Sequence, residues 1–153
     1  WTPDAQPYSE ESQPTQEVPG TDGKSAVWTV RFGSVARNAS RAFTWSGSDA
    51  ADAPARGVTG SPEDSFSPTN SSTRTFDVAY LKVDSDQAIA VAEKHGGDKL
   101  LKKDPKIPVY YRLRWDPSHN NLVWNVMFGG SGGNSKLNVQ LDATTGSFIK
   151  IEK

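Results

Sequence analysis

The sequence predicts an α+β fold, with an antiparallel β-meander packed on one main α-helix and an extra N-terminal β-hairpin. Three observations carry this. Apolar residues alternate with a period of two through the last third of the chain, a capped amphipathic segment precedes them, and a Trp-containing hairpin pattern stands near the start. The chain has 153 residues, 35% of them apolar, with 17 Lys+Arg against 18 Asp+Glu and no Cys. That length suits one domain. The charge balance gives no reason to expect a nucleic-acid partner, and no apolar run approaches the roughly 18 residues of a spanning helix, so no membrane insertion of this chain is expected. Without Cys there are no disulfides, thiolate metal sites or Cys nucleophiles. Trp rather than Met at position 1 fits a processed start.

Residues 1–24 hold Pro3, Pro7, Pro14 and Pro19, with five acids against Lys24 alone and no periodic apolar face. Such a stretch predicts a disordered acidic leader outside a single α+β domain at 25–153. Ala26, Trp28, Val30 and Phe32 alternate with Val27, Thr29 and Arg31, then Gly33 to Asn38 makes a turn and Arg41, Phe43 and Trp45 alternate again. This is a hairpin pattern. The 27 residues from Ser46 to Ser72 are rich in Ser, Gly, Pro, Asp and Ala, which predicts a helical turn near Asp49 to Ala55 or local disorder. Phe76, Val78 and Tyr80 predict a further strand to Val83, closing an N-terminal part at 25–80.

Asp84-Ser85-Asp86-Gln87 has the form of a capping box, so a helix is expected from there to His95, ended by Gly96-Gly97. At about 1.5 Å per residue it spans only some 16 Å, and needs an apolar surface beneath it. The meander supplies one. Val109, Tyr111, Leu113 and Trp115 pair by parity with Phe128, Val126, Trp124 and Leu122, and a second hairpin sets Val126, Trp124 and Leu122 by Leu137, Val139 and Leu141. Ile149 or Ile151 then falls beside Val139. A one-residue slip would reverse every side chain, so the agreement across hairpins argues for an antiparallel meander at 81–153. Trp28, Trp45, Trp115 and Trp124 take inward positions in this scheme.

A shift of 96 residues lays Val27-Trp28-Thr29-Val30-Arg31-Phe32-Gly33 on Val123-Trp124-Asn125-Val126-Met127-Phe128-Gly129, with six identities in the 20 positions from Val27. A degenerate half-repeat fits this pattern. The run Asp84 to Ala92, the strand Val123-Trp124-Asn125-Val126 and the turn Leu141-Asp142-Ala143-Thr144-Thr145-Gly146 together resemble a PepSY domain over about half the chain. The resemblance implies a bacterial, extracytoplasmic location (periplasmic, secreted or envelope-anchored). It also implies a non-catalytic binding role, as in the inhibitory propeptide segment of thermolysin-type metallopeptidases, with a peptidase as the expected partner.

Catalytic signatures are absent: there is no H-E-x-x-H, G-x-S-x-G or phosphate-binding loop, and the Gly129 to Gly133 run opens onto a strand pattern. His95 and His119 lack partners at ligand spacing, so no catalytic residue, cofactor or metal site is expected. Arg112 and Arg114 alternate away from the core set beside Tyr110, in a basic stretch from Asp98 to Trp115 that could attract acidic protein or the chain's own leader. With Met127 and Phe148 they form the expected interaction surface: Tyr110, Arg112, Arg114, Met127 and Phe148. The alternatives are a small-ligand or hydrolytic protein using a Trp-lined pocket, with a cavity joining His95 or His119 to carboxylates or hydroxyls, and a structural envelope spacer.

Overall fold

The computed structural model describes residues 1–152. Its strands are β1 (Gln6–Gln13), β2 (Val27–Ser34), β3 (Ala39–Ser46), β4 (Gly57–Gly60), β5 (Asp64–Ser65), β6 (Val109–Asp116), β7 (Asn121–Phe128), β8 (Leu137–Asp142) and β9 (Phe148–Glu152). They form one sheet of order β4-β3-β2-β1-β6-β7-β8-β9, with β5 paired to β3, and every pairing is antiparallel. Two four-stranded meanders, β1–β4 and β6–β9, therefore meet along the β1/β6 edge. The α+β class and the antiparallel sheet agree with the sequence reading.

The helix begins at the predicted cap. The Asp84 side chain accepts from the Gln87 amide, and Gln87 Oε1 accepts from the Asp84 amide at 3.0 Å, the two halves of a capping box. α1 (Ser85–Ala92) does not stop at Gly96-Gly97, however. A π turn over Glu93–Gly97 leads into α2 (Asp98–Lys103), making one 19-residue helical stretch. Gly96 leaves the helical region at φ 113°, but Gly97 returns to it, packed so closely on Phe128 that a Cβ would come within 2.5 Å of the ring. Leu100 and Leu101 then reach the core, which favours resuming the helix.

Beneath α1, Ala88, Ile89 and Ala92 meet Val109, Tyr111, Leu113, Leu122, Trp124, Val126, Phe128, Val139 and Leu141, all buried. The β6/β7 register matches the sequence expectation, with Leu113 opposite Trp124 and Val109 opposite Phe128. The β7/β8 register differs by two: Trp124 faces Leu141 and Val126 faces Val139. A shift of two keeps every side chain on its face, so alternation alone cannot detect it. The D-A-T-T-G turn closes as expected, with Thr144 N and Thr145 N both donating to Asp142 Oδ1 at 2.8 Å and Gly146 at φ 76°.

The N-terminal third corrects the sequence reading. Residues 6–13 are not a disordered leader but β1, hydrogen-bonded between β2 and β6 in the middle of the sheet. The domain thus includes the segment assigned outside it. Val109 N donates to Pro19 O and Tyr111 Oη to Gly20 O, tying down the following loop as well. The insert at 46–72 is ordered as a turn at Ala50 to Ala53, strands β4 and β5, and a 3₁₀ turn at Ser71–Thr73. Phe76 to Val83 forms a 3₁₀ turn (Val78–Tyr80) rather than a strand. Trp45 is not core: it is 46% exposed, whereas Trp124 is 2% exposed.

The sequence shift of 96 has a structural counterpart. Val27↔Ser46, Trp28↔Trp45 and Val30↔Phe43 in β2/β3 become, residue for residue, Val123↔Asp142, Trp124↔Leu141 and Val126↔Val139 in β7/β8. β1 likewise occupies the place of β6, since Ser12↔Trp28 and Glu10↔Val30 parallel Leu113↔Trp124 and Tyr111↔Val126. Glu10 and Ser12 thus stand where the second half places Tyr111 and Leu113. Among the described residues only the second half has a helix over its face, and no helix is long and apolar enough to cross a membrane.

Candidate functional site

Strand alternation sends one set of side chains under the helix and the other to the opposite, open face of the sheet. On that face β6 contributes Tyr110, Arg112 and Arg114, β7 contributes Val123, Asn125 and Met127, β8 contributes Asn138 and Gln140, and β9 contributes Lys150 and Glu152. Beyond the β1/β6 edge come Glu11, Thr29 and Arg31. Thr29 and Thr44 share a hydrogen bond of 2.8 Å across β2/β3.

Glu11 stands between two arginines, with Arg31 Nη1 at 2.9 Å and Arg112 Nε at 2.8 Å. Glu152 gathers the other end. It accepts from Asn125 Nδ2 and Asn138 Nδ2 at 3.1 Å and from Gln140 Nε2 at 3.4 Å, and it pairs with Lys150 at 3.4 Å and Arg114 at 3.8 Å. Of the two cations that Glu152 holds, Arg114 is the more loosely paired. Its Nε, with Asn125 Oδ1 and Gln140 Oε1, is buried with no hydrogen-bond partner among the described residues. Two adjoining concavities follow from this arrangement. One of about 360 Å³ is lined by Arg112, Arg114, Asn125, Met127, Asn138 and Glu152; its neighbour of about 260 Å³ is lined by Glu11, Thr29, Arg31, Tyr110 and again Arg112 and Met127. Arg31, Arg112, Arg114 and Lys136 against Glu11 and Glu152 leave the lining of the two concavities two charges positive.

Four residues of the expected surface, Tyr110, Arg112, Arg114 and Met127, therefore come together. Met127 is buried beneath the Gly132 loop, whose amide points at its sulfur, so it floors the groove rather than meeting solvent. Phe148 is the exception and lies on the helix side. An irregularity in the β8/β9 ladder leaves Ile149 unpaired between Gln140↔Lys150 and Leu141↔Phe148, which turns Phe148 over to stack on His95 at 3.7 Å between ring centroids. The sequence reading missed Glu11, Asn125, Asn138, Gln140 and Glu152. Their polar alternation between apolar residues was the available signal.

Neither histidine joins a catalytic constellation. His95 is occupied by Phe148. His119 Nδ1 lies 2.8 Å from Asp116 Oδ2 and 3.3 Å from Ser118 Oγ, all within one hairpin turn. A nucleophilic triad needs Asp on one ring nitrogen and Ser on the other; here both share Nδ1. Burial opposes ionisation of Asp116, but hydrogen bonds from Ser118 and His119 outweigh it and hold the carboxyl down to about 2. The cluster is a turn lock. Among the described residues no group of three or more His, Asp or Glu side chains is placed to hold a metal ion.

No protein-family model matches the sequence, and no curated protein does. A solved structure from Clostridium difficile 630, described as a "putative lipoprotein", is similar in fold: the TM-score is 0.63 at 14% identity, covering 97% of this chain and 82% of that one. At that identity the likeness is one of fold.

Proposed function

We propose that this protein is a non-catalytic, extracytoplasmic binding module of PepSY type that takes an acidic segment of a protein partner on the open face of its sheet, with a peptidase as the partner it modulates. The observation that carries this is the groove at Arg112 and Arg114. It is a positively charged concavity lined by both guanidinium groups, in which Arg114 is held only by a 3.8 Å pairing to Glu152 and its Nε has no hydrogen-bond partner among the described residues. Arginine forks bind carboxylates in a planar, two-point geometry, so an Asp or Glu side chain or a chain terminus fits better here than a phosphate-poor neutral surface would. Residues held by a hydrogen-bonded ladder on strands also present a site with little ordering cost on binding. The lipoprotein description of the Clostridium difficile structure supports the extracytoplasmic setting, and the capped helix with its D-A-T-T-G meander supports the PepSY reading.

The test is retention of envelope proteins on the immobilised domain, compared with an R112E/R114E variant, followed by assay of any retained peptidase with and without the domain. Retention that is lost in the variant and weakens with salt is the expected result. Equal retention by both proteins, or unchanged activity of every retained peptidase, defeats the proposal.

A further inference from the structure

The helix-side face of the first meander carries a second site, chemically opposite to the first. With no helix above it, Trp28 is only partly buried and Trp45 is 46% exposed, while Trp124 forms the adjoining wall at the rim of α1. These three indoles, with Leu81, Glu10 and Asp84, line a cavity of about 340 Å³. Two of the rings are fixed. Trp28 sits 6.4 Å from Trp124 and 6.1 Å from Tyr111 between centroids, its indole N–H donates to Ser25 O at 3.2 Å, and that of Trp124 donates to Val83 O at 2.8 Å.

Glu10 is the informative residue. It occupies the place that Tyr111 fills in the second half, half-buried in the lining of this cavity, and no hydrogen bond or ion pair reaches its carboxylate from the described residues. Burial, and then the neighbouring Asp84 charge, push its carboxyl up from the usual range. Two like charges beside the Trp28 and Trp45 indoles repel each other and anions; both features favour a cation that is weakly hydrated and can lie against rings. We propose that this cavity binds an organic ammonium group, the indoles enclosing its alkyl substituents and Glu10 supplying the counter-charge. Lys24, exposed at the rim, is the chain's own competitor for the position.

Choline and N-acetyl-lysine methylamide serve as probes, followed through the indole N–H resonances, with 3,3-dimethylbutanol as the neutral isostere of choline. Saturable shifts of the Trp28 and Trp45 resonances are expected for the cations and not for the alcohol at equal concentration. Preference between the two cations distinguishes a quaternary small molecule from a lysine side chain. Glu10→Gln is expected to weaken binding about tenfold while melting no lower than the parent, because it removes an unpaired, partly buried charge; Lys24→Ala is expected to tighten it. The proposal is overturned if the alcohol shifts the same resonances with equal affinity, if Glu10→Gln binds as the parent does, or if neither cation produces a saturable shift in the parent or in Lys24→Ala.

Discussion

Replacing Glu152 by Ala separates stability from binding on the open face. Three side-chain amides converge on its carboxylate, from Asn125, Asn138 and Gln140, and Asn125 and Gln140 are 2% and 0% exposed. A hydrogen bond to a charged acceptor contributes about 1.5–3 kcal/mol. The sum is discounted for two reasons visible in the geometry: Asn125 Nδ2 keeps Asn138 Oδ1 at 3.1 Å, and the Glu152 side chain is 26% exposed, so water replaces part of what is lost. Glu152→Ala is therefore expected to destabilise by about 2–4 kcal/mol, or about 5–15 °C in Tm for a chain of this size. Glu152→Gln keeps the length and one acceptor and should cost about 1 kcal/mol.

The same substitution releases Arg114 and Lys150 and makes the face one charge more positive. Binding of an acidic partner should then become faster and more salt-sensitive while the fold weakens. Urea denaturation measures the first effect and surface-bound kinetics at two salt concentrations the second. A loss under about 0.5 kcal/mol refutes the view that Glu152 gathers the ladder. Slower or salt-independent association refutes the assignment of the face to an acidic partner.

Two further outcomes test how the chain is held. Tyr111→Phe removes the phenol that donates to the Gly20 carbonyl inside the core, so about 1–3 kcal/mol should be lost and the Val109 amide, bonded to Pro19, should exchange faster with solvent; unchanged exchange there would sever the phenol from the ordering of the 14–25 loop. Asp116 is held well below its ordinary value of 3.8, at about 2, so its stabilisation is complete above that ordinary value and disappears as pH falls from about 4 towards 2, a contribution of about 2 kcal/mol. Asp116→Asn should flatten the acid limb of a stability-versus-pH curve over that interval, and an unaltered limb would place the effect elsewhere.

How far the sequence discloses this molecule depends on where the information resides. The β6/β7 pairing was legible because the inward set from Val109 to Trp115 is wholly apolar and its partner strand follows after a short turn. The β7/β8 register was legible only to within two residues, since faces do not distinguish such shifts. β1 left no apolar trace. Its inward residues are Glu10 and Ser12, and what holds it is backbone pairing on both edges, together with Glu11 between Arg31 and Arg112 and Ser12 Oγ accepting from Tyr111 N at 2.9 Å. Long-range pairing of this kind overrides local composition. For the candidate surface, parity put Tyr110, Arg112, Arg114 and Met127 on one face, as the sheet does, while the unpaired residue Ile149 moved Phe148 away.

The two halves share a register, so their differences report what the helix does. Where α1 covers the sheet, Tyr111, Leu113 and Leu141 close a dry layer around Trp124. At the corresponding places without a helix stand Glu10, Ser12 and Trp45 around Trp28. Trp45 is left exposed there for no gain in packing, and a carboxylate at Glu10 beside the indoles costs the fold something and returns nothing to it. Packing therefore explains the second half and does not explain the first. An unpaired acid kept in the lining of a Trp-lined cavity is better accounted for by something it binds, and the two faces of one sheet then offer opposite charges to different ligands: arginines on the open side, a carboxylate beside indoles on the other.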